Sequence, residues 1–168
     1  MGLSTITTVR GFAAGALALT LLTGCGGDEP AAPEQVRVAA GNRTAEVKPT
    51  QYCLDGDGKR YQVTPPVVEV PADTPIRLTV PDSVAEQGWS VQVFDQTLEN
   101  KIGEVAVDAG TAEFDGINSS DVVPATFYLV IVEDKGGPCG LFSGAWPVGF
   151  VRPGGQMSTA TATPAPAG

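Results

Sequence analysis

The sequence predicts an all-β fold: an immunoglobulin-like antiparallel β-sandwich with one short helical turn. Two observations lead to this prediction. Apolar residues alternate with polar ones at a period of two, which is typical of half-buried strands rather than helices. Turn-forming residues recur roughly every 8 to 12 positions, so that about eight short strands fit in the chain.

The first predicted strands form a hairpin. Valines alternate with polar residues from position 36, and the Gly-Asn pair at 41–42 makes a turn into a second strand over residues 44–47. The Asp-Gly-Asp-Gly sequence at 55–58 predicts a further turn, which leads into a strand over residues 61–63 with Tyr61 and Val63 as its apolar positions.

The next segment contains two strands and the helical turn. Residues 67–70 and 76–80 are short β-branched runs bounded by prolines, which favours strands near a sheet edge or a loop. The helical turn covers residues 81–87, because Pro81 stands at its start and Gly88 directly after its end. We expect it to connect two strands across one end of the sandwich.

The remaining strands lie in the C-terminal half. Residues 89–94 alternate with one strongly apolar face, and residues 102–107 and 111–114 predict a hairpin joined at an Asp-Ala-Gly turn. Residues 125–132 are apolar on both faces and predict the central strand. Residues 146–151 supply the last strand.

The N-terminal residues 1–24 have the organisation of a lipoprotein signal peptide. Arg10 precedes the apolar residues 11–22, and two small residues stand directly before Cys25. The Leu-Thr-Gly-Cys sequence matches the bacterial lipobox, whose cysteine is acylated after cleavage. The apolar segment is too short for a transmembrane span, which needs about 20 residues. We therefore expect acyl chains on Cys25 to hold the protein at the outer face of the cytoplasmic membrane; an ordinary secretory signal with a chance cysteine is the alternative.

The chain is acidic. It has 10 basic and 19 acidic side chains and a formal net charge of −9, and Arg10 is the charged residue that cleavage removes. An acidic surface argues against nucleic acid as a partner and against docking to anionic lipid head groups. The predicted contact with the membrane is therefore made by the acyl chains alone.

Cys53 and Cys139 remain when Cys25 is assigned to the anchor. An even pair of cysteines in an exported chain predicts one structural disulfide. Such a bridge would close a long loop and stabilise the fold by ~4–5 kcal/mol in the chain-entropy model. Two separate buried thiols are the alternative.

The segments outside the sandwich have no apolar periodicity. Residues 26–34 predict a flexible tether, and residues 153–168 are rich in Ser, Thr, Pro and Ala, which predicts disorder and permits O-glycosylation. The expected organisation is a signal peptide over residues 1–24, the lipidated cysteine and linker over 25–34, the β-sandwich domain over 35–152 and the tail over 153–168.

The absence of histidine excludes most familiar catalytic arrangements. Ser-His-Asp and Cys-His sites need it, and zinc and blue-copper sites lose their commonest ligand. The acidic sequence at 55–58 does not continue into a calcium loop, because Lys59 and Arg60 occupy positions that need an acidic residue and a glycine. We therefore predict no catalytic residue, metal or cofactor.

Four large apolar side chains on alternating strand positions have two interpretations. They pack in the core, which is the usual role of such a pattern, or they line a ligand groove. These residues are Trp89, Phe127, Leu129 and Trp146.

Several short motifs occur together in this chain. They are the lipobox, Gln-Tyr-Cys at 51–53, Val-Pro-Asp-Ser-Val-Ala at 80–85 followed by Gly-Trp, Leu-Val-Ile-Val-Glu at 129–133, and the late Trp146. With these motifs the chain resembles the actinobacterial lipoproteins known only as a domain of unknown function. The resemblance covers residues 36–152 and implies no catalytic residues.

The sequence thus predicts a lipid-anchored cell-envelope protein that acts as a non-enzymatic binding or structural module, with an envelope protein or a glycan as its partner. Two alternatives stay open. Gln-Gly-Trp at 87–89 is similar to the Gly-aromatic element of small sandwich inhibitors of cysteine peptidases. An enzyme using carboxylates alone would need two acidic side chains that meet in a cleft.

Overall fold

Antiparallel strands in two sheets make up nearly all of the regular structure. The computed structural model describes residues 33–54, 57–122, 124–133 and 142–156, without the side chains of Leu54 and Asp57. These residues form a sandwich-like all-β fold with one short helix, which confirms the predicted fold class. No helix within these ranges is long and apolar enough to cross a membrane.

Eleven strands and one helix occur in the described residues. In chain order they are β1 (Val36–Ala40), β2 (Arg43–Val47), β3 (Gln51–Leu54), β4 (Asp57–Arg60), β5 (Val67–Glu69), β6 (Pro75–Thr79), α1 (Asp82–Gln87), β7 (Trp89–Phe94), β8 (Lys101–Ala106), β9 (Glu113–Asn118), β10 (Thr126–Glu133) and β11 (Gly144–Val151).

The smaller sheet has the strand order β2-β1-β6-β9 and is antiparallel throughout. Its first two strands form the predicted hairpin, in which Ala40 pairs with Arg43 around a turn with Gly41 at φ 58°. Residues 36, 38 and 40 of β1 face the core and are buried, as the period of two predicts.

The larger sheet has the order β4-β3-β11-β10-β7-β8. The strand β10 is central, as predicted, and pairs with β11 over all eight of its residues, from Thr126 with Val151 to Glu133 with Gly144. The outer edge of β11 has two partners. β3 pairs with its first residues, and the short strand β5 runs parallel to its last three.

Side chains of both sheets meet in one core, which contains all four of the large apolar residues that had two interpretations. Trp89, Phe127, Leu129 and Trp146 are each at most 1% exposed, so they are core residues and not the lining of a groove. The rings of Phe127 and Phe150 stack at 5.3 Å between centroids. Burial of such rings supplies much of the hydrophobic stabilisation of a small sandwich.

Two strand predictions were wrong. The segments predicted as a hairpin around residues 108–110 lie in different sheets, because β8 pairs with β7 and β9 pairs with β6. The intervening loop bonds elsewhere: Gly110 N–H donates to Ala85 O at 2.9 Å, and Val80 N–H donates to Ala112 O at 2.9 Å. The loop therefore carries the chain from one sheet to the other instead of folding it back.

The other error concerns the position of a strand after a turn. The strand expected at residues 61–63 lies earlier, as β4, which forms a hairpin with β3; residues 55–56 of the predicted turn lie outside the described residues. β6 lies next to the edge strand β9 of the smaller sheet and directly follows a loop, which agrees with the prediction of a strand near an edge or a loop. Pro75 is tolerated there because it is the first residue of the strand.

Gly144 supports a stability prediction. A Cβ atom at this position would overlap the ring of Trp146, which is fully buried and cannot move aside. We expect Gly144→Ala to lower the free energy of unfolding by about 1–3 kcal/mol, the usual cost of overpacking a core. Urea denaturation measures this value. Gly103→Ala is the matched control, because a Cβ there meets only Val93 at the ordinary contact distance of 3.6 Å. Equal stabilities of the two variants would contradict the prediction.

Candidate functional site

A cluster of polar side chains lies at one end of the sandwich. Glu34, just before β1, accepts a hydrogen bond on Oε2 from the Tyr52 hydroxyl at 2.7 Å, and the Ser83 hydroxyl donates to the same oxygen. The Trp146 indole N–H donates to the backbone carbonyl of Glu34 at 2.9 Å. We call Glu34, Tyr52, Ser83, Trp146 and the neighbouring Glu133 the glutamate cluster. Its members come from five separate parts of the chain.

Glu133 ends the central strand with its side chain turned into the protein, and the residue is 3% exposed. Burial raises the pKa of its carboxyl above the ordinary value, and the charge of Glu34 acts in the same direction. The Ser143 hydroxyl nearby lowers this pKa in part, although it forms no hydrogen bond of normal geometry with the described residues. Burial and the bond to Glu34 also raise the pKa of the Tyr52 phenol.

A second feature is an apolar groove between the edges of the two sheets. Its volume is about 520 Å³, within the range of ligand-binding pockets. We call it the edge groove. It is lined by Val93 of β7, residues 102–105 of β8, residues 116–117 of β9, and residues 121, 122 and 124 of the loop that follows.

The charged side chains that line the edge groove are both acidic. The Glu104 carboxylate accepts a hydrogen bond from Lys101 Nζ at 2.6 Å, and both side chains are 46% exposed. Asp121 Oδ2 accepts a hydrogen bond from the Asn118 backbone N–H at 2.7 Å. The groove thus has an apolar interior and an acidic rim, a combination that suits an apolar ligand carrying positive charge.

The strand register places the two features at opposite ends of the sandwich. Trp89 at the start of β7 pairs with Glu133, so this end of the sheet holds the glutamate cluster. Val93 pairs with Gly103 in the edge groove and lies about 13 Å further along the strand. The groove therefore opens toward the end that is far from Glu34.

The predicted site residues fall partly outside the described structure. Cys25 and Cys139 lie outside the described residues, and Cys53 lies in β3. The lipid anchor and the disulfide therefore stay predictions. Within the described residues no group of three or more histidine, cysteine, aspartate or glutamate side chains is arranged to hold a metal ion.

Sequence reasoning missed the glutamate cluster as a site. One signal was present, since Glu133 is a charged residue at the end of an otherwise apolar run, and such a residue must be exposed or paired. Nothing in the sequence marks Glu34 as a site residue, because it lies in the segment that is predicted to be a flexible tether. The edge groove was also missed, because its position depends on which strands lie at the outer edges of the two sheets.

The fold and these two features together define a small acidic β-sandwich with a closed polar end and an open apolar edge. A comparison with protein families identifies the sequence more closely. Residues 29–133 match the family described as "Protein of unknown function (DUF2771)", and the chain belongs to this family. This confirms the resemblance to a family with a domain of unknown function, although the match ends with β10 and does not include β11. A search of curated proteins and a search of solved structures found no match.

The raised pKa of Glu133 predicts how stability changes with pH. The folded chain holds the proton of this carboxyl more tightly than the unfolded chain, in which the pKa is about 4.3. The protonated carboxyl of Glu133 therefore makes its full contribution to the free energy of unfolding below the unfolded pKa. This contribution is lost as pH rises through the raised folded pKa. The Glu133→Gln variant has no carboxyl at this position and therefore does not lose stability in this way. Its free energy of unfolding minus that of the natural chain should rise between pH 4 and pH 7.

Urea denaturation across this pH range measures the difference. Glu86→Gln is the control for the loss of one glutamate side chain, because Glu86 is exposed on α1. A difference between Glu133→Gln and the natural chain that does not change with pH would contradict the assignment.

Proposed function

We propose that this protein is exported, anchored through acyl chains on Cys25 at the outer face of the cytoplasmic membrane, and acts there as a non-enzymatic binding module that uses the edge groove. The observation that carries the proposal is the placement of the groove at the end of the sandwich far from Glu34. A module held to a membrane at one end needs its binding surface at the other.

The tether supports this orientation. Cys25 and Glu34 are nine positions apart in the sequence, and an extended segment of this length spans at most about 30 Å. Glu34 is held on the sandwich by its backbone bond to Trp146 and its side-chain bonds to Tyr52 and Ser83. The end with the glutamate cluster then faces the bilayer, and the edge groove faces away from it.

An enzyme that uses the two glutamates is the alternative with a structural basis, since Glu34 and Glu133 do come together. Two observations favour a binding module instead. The Glu34 carboxylate already accepts two hydrogen bonds, and neither glutamate lines any of the four described cavities. The peptidase-inhibitor alternative needs an exposed aromatic residue after Gly88, whereas Trp89 is 1% exposed and donates its indole N–H to Thr111 O.

Metabolic labelling with a fatty acid tests the anchor. We expect the natural chain to take up the label and to fractionate with membranes. Cys25→Ala should lose the label, while Cys53→Ala, the control, should keep it. An unlabelled natural chain with an N-terminal Met1, or a labelled Cys25→Ala variant, would overturn the proposal.

The proposed location implies the disulfide between Cys53 and Cys139. The Cys53 backbone N–H donates to Ser143 O at 2.7 Å, and Cys139 precedes Ser143 by four residues, which span at most about 14 Å. This reach is compatible with the Cα separation of a disulfide, ~4.4–6.8 Å.

Intact-mass measurement of the exported chain after alkylation tests the bridge. The masses of two alkyl groups should be added only when reduction precedes alkylation. Addition without reductant would contradict the bridge. The Cys139→Ser variant should add one alkyl group with or without reductant.

A further inference from the structure

We propose that the edge groove binds an extended peptide segment that adds to β8 as a further strand and carries alternating apolar and basic side chains. The inference rests on the proposed function of the groove and names its ligand class.

The pattern of lining residues indicates that the edge of β8 is open to a ligand. Successive side chains of a strand point to opposite faces of a sheet, so a cavity against one face touches alternate residues. The groove touches the four consecutive residues 102–105. It therefore borders the edge of the strand, where backbone N–H and C=O groups point outward. Among the described strands β8 pairs with β7 alone, so this edge has no strand partner there.

The open edge is short and bounded. The register of β7 and β8 shifts between Val93 and Phe94, and the pairing from Gly103 to Ala106 is regular. Bulges and charges are devices that keep sheet edges from pairing with other copies. The shift and Lys101 protect the start of β8 in this way, which leaves residues 103–106 for a short added strand.

Apolar side chains of such a segment have a place to bind. Ile117 and Val122, both buried, form part of the groove, and Ile102 lies at its mouth with 48% of its surface exposed. Strand addition obtains affinity from main-chain hydrogen bonds and specificity from pockets for alternate side chains. The groove provides such a pocket beside the edge.

Charge favours a basic segment. Glu104 and Asp121 are the charged residues that line the groove, and the whole chain carries a net charge of −9. A lysine or arginine of the segment would take the place of Lys101 at Glu104 or pair with Asp121. An acidic segment would meet two carboxylates and be repelled.

Fluorescence polarisation with a labelled eight-residue peptide of alternating valine and lysine tests the inference on the full chain. We expect saturable binding that weakens with salt. Replacing the lysines by glutamate should abolish binding, and so should N-methylation of the backbone on the strand's hydrogen-bonding edge, because it removes the donors for β8.

Two variants with a matched control locate the site. Ile102→Asn and Gly103→Val should each lower the affinity at least about tenfold, as expected for central contacts. Val67→Asn should leave it unchanged, since Val67 is also 48% exposed but lies on β5 outside the groove. Thermal unfolding confirms that each variant is folded.

The outcomes separate this inference from the proposed function. If the cationic amphiphile dodecyltrimethylammonium binds with sensitivity to Ile102→Asn while no peptide does, the groove is a binding site but the peptide assignment is wrong. If Ile102→Asn instead abolishes dimers seen by sedimentation, the occupant is a second copy of the chain, and the peptide assignment is also wrong. If nothing binds and the chain is monomeric, both the inference and the groove's proposed role fail.

Discussion

The indole of Trp146 imposes the constraint on which the rest of this end of the molecule depends. Its ring has no exposed surface, and a buried N–H without an acceptor would cost about 1–3 kcal/mol. The acceptor is the carbonyl of Glu34, at 2.9 Å. The chain that precedes β1 must therefore cross this end of the sandwich before it enters the smaller sheet at Val36. The glycine at 144, two residues before the indole on the same strand, leaves the ring its space.

Holding Glu34 in this position has an electrostatic consequence. Its carboxylate comes close to that of Glu133, which is itself withdrawn from water at the end of β10. The hydroxyls of Tyr52 and Ser83 offset the repulsion by donating to Glu34. A buried polar cluster of this kind adds little net stability, because desolvation cancels much of the attraction. Its structural effect is to hold one residue of the tether at a defined place on the sandwich.

The parts of this structure that depend on short-range pattern could be predicted from the sequence. The alternating valines and the Gly-Asn turn predict the hairpin of β1 and β2. The run that is apolar on both faces predicts that β10 lies at the centre of the larger sheet. The short helix follows from Pro81 and Gly88, the latter with φ 93°. In each case the residues that decide the structure are neighbours in the chain.

Pairing between distant segments could not be predicted in the same way. Alternation identifies β8 and β9 as strands, but it contains no information on their partners. The hydrogen bonds of the 107–112 loop to Ala85 of α1 and to Val80, directly after β6, direct the chain to the other sheet. The glutamate cluster joins residues 34, 52, 83, 133 and 146, whose proximity is a product of the whole topology. The edge groove depends on topology in the same way, since no single segment contains it.

The same crossings explain why the two ends of the sandwich differ. Both α1 and the 107–112 loop carry the chain between the sheets at the end of Glu34, and they are bonded to each other through Gly110 and Ala85. That end is thereby closed. At the other end β7 turns directly into β8 within one sheet, while two segments cross between the sheets there, residues 70–74 between β5 and β6 and the segment between β9 and β10. The last strands of the two sheets, β8 and β9, are joined at the end of Glu34 by the 107–112 loop, and at the other end the space between them is the edge groove. An extended segment that pairs with β8 would thus complete the side of the sandwich that its own connections leave open.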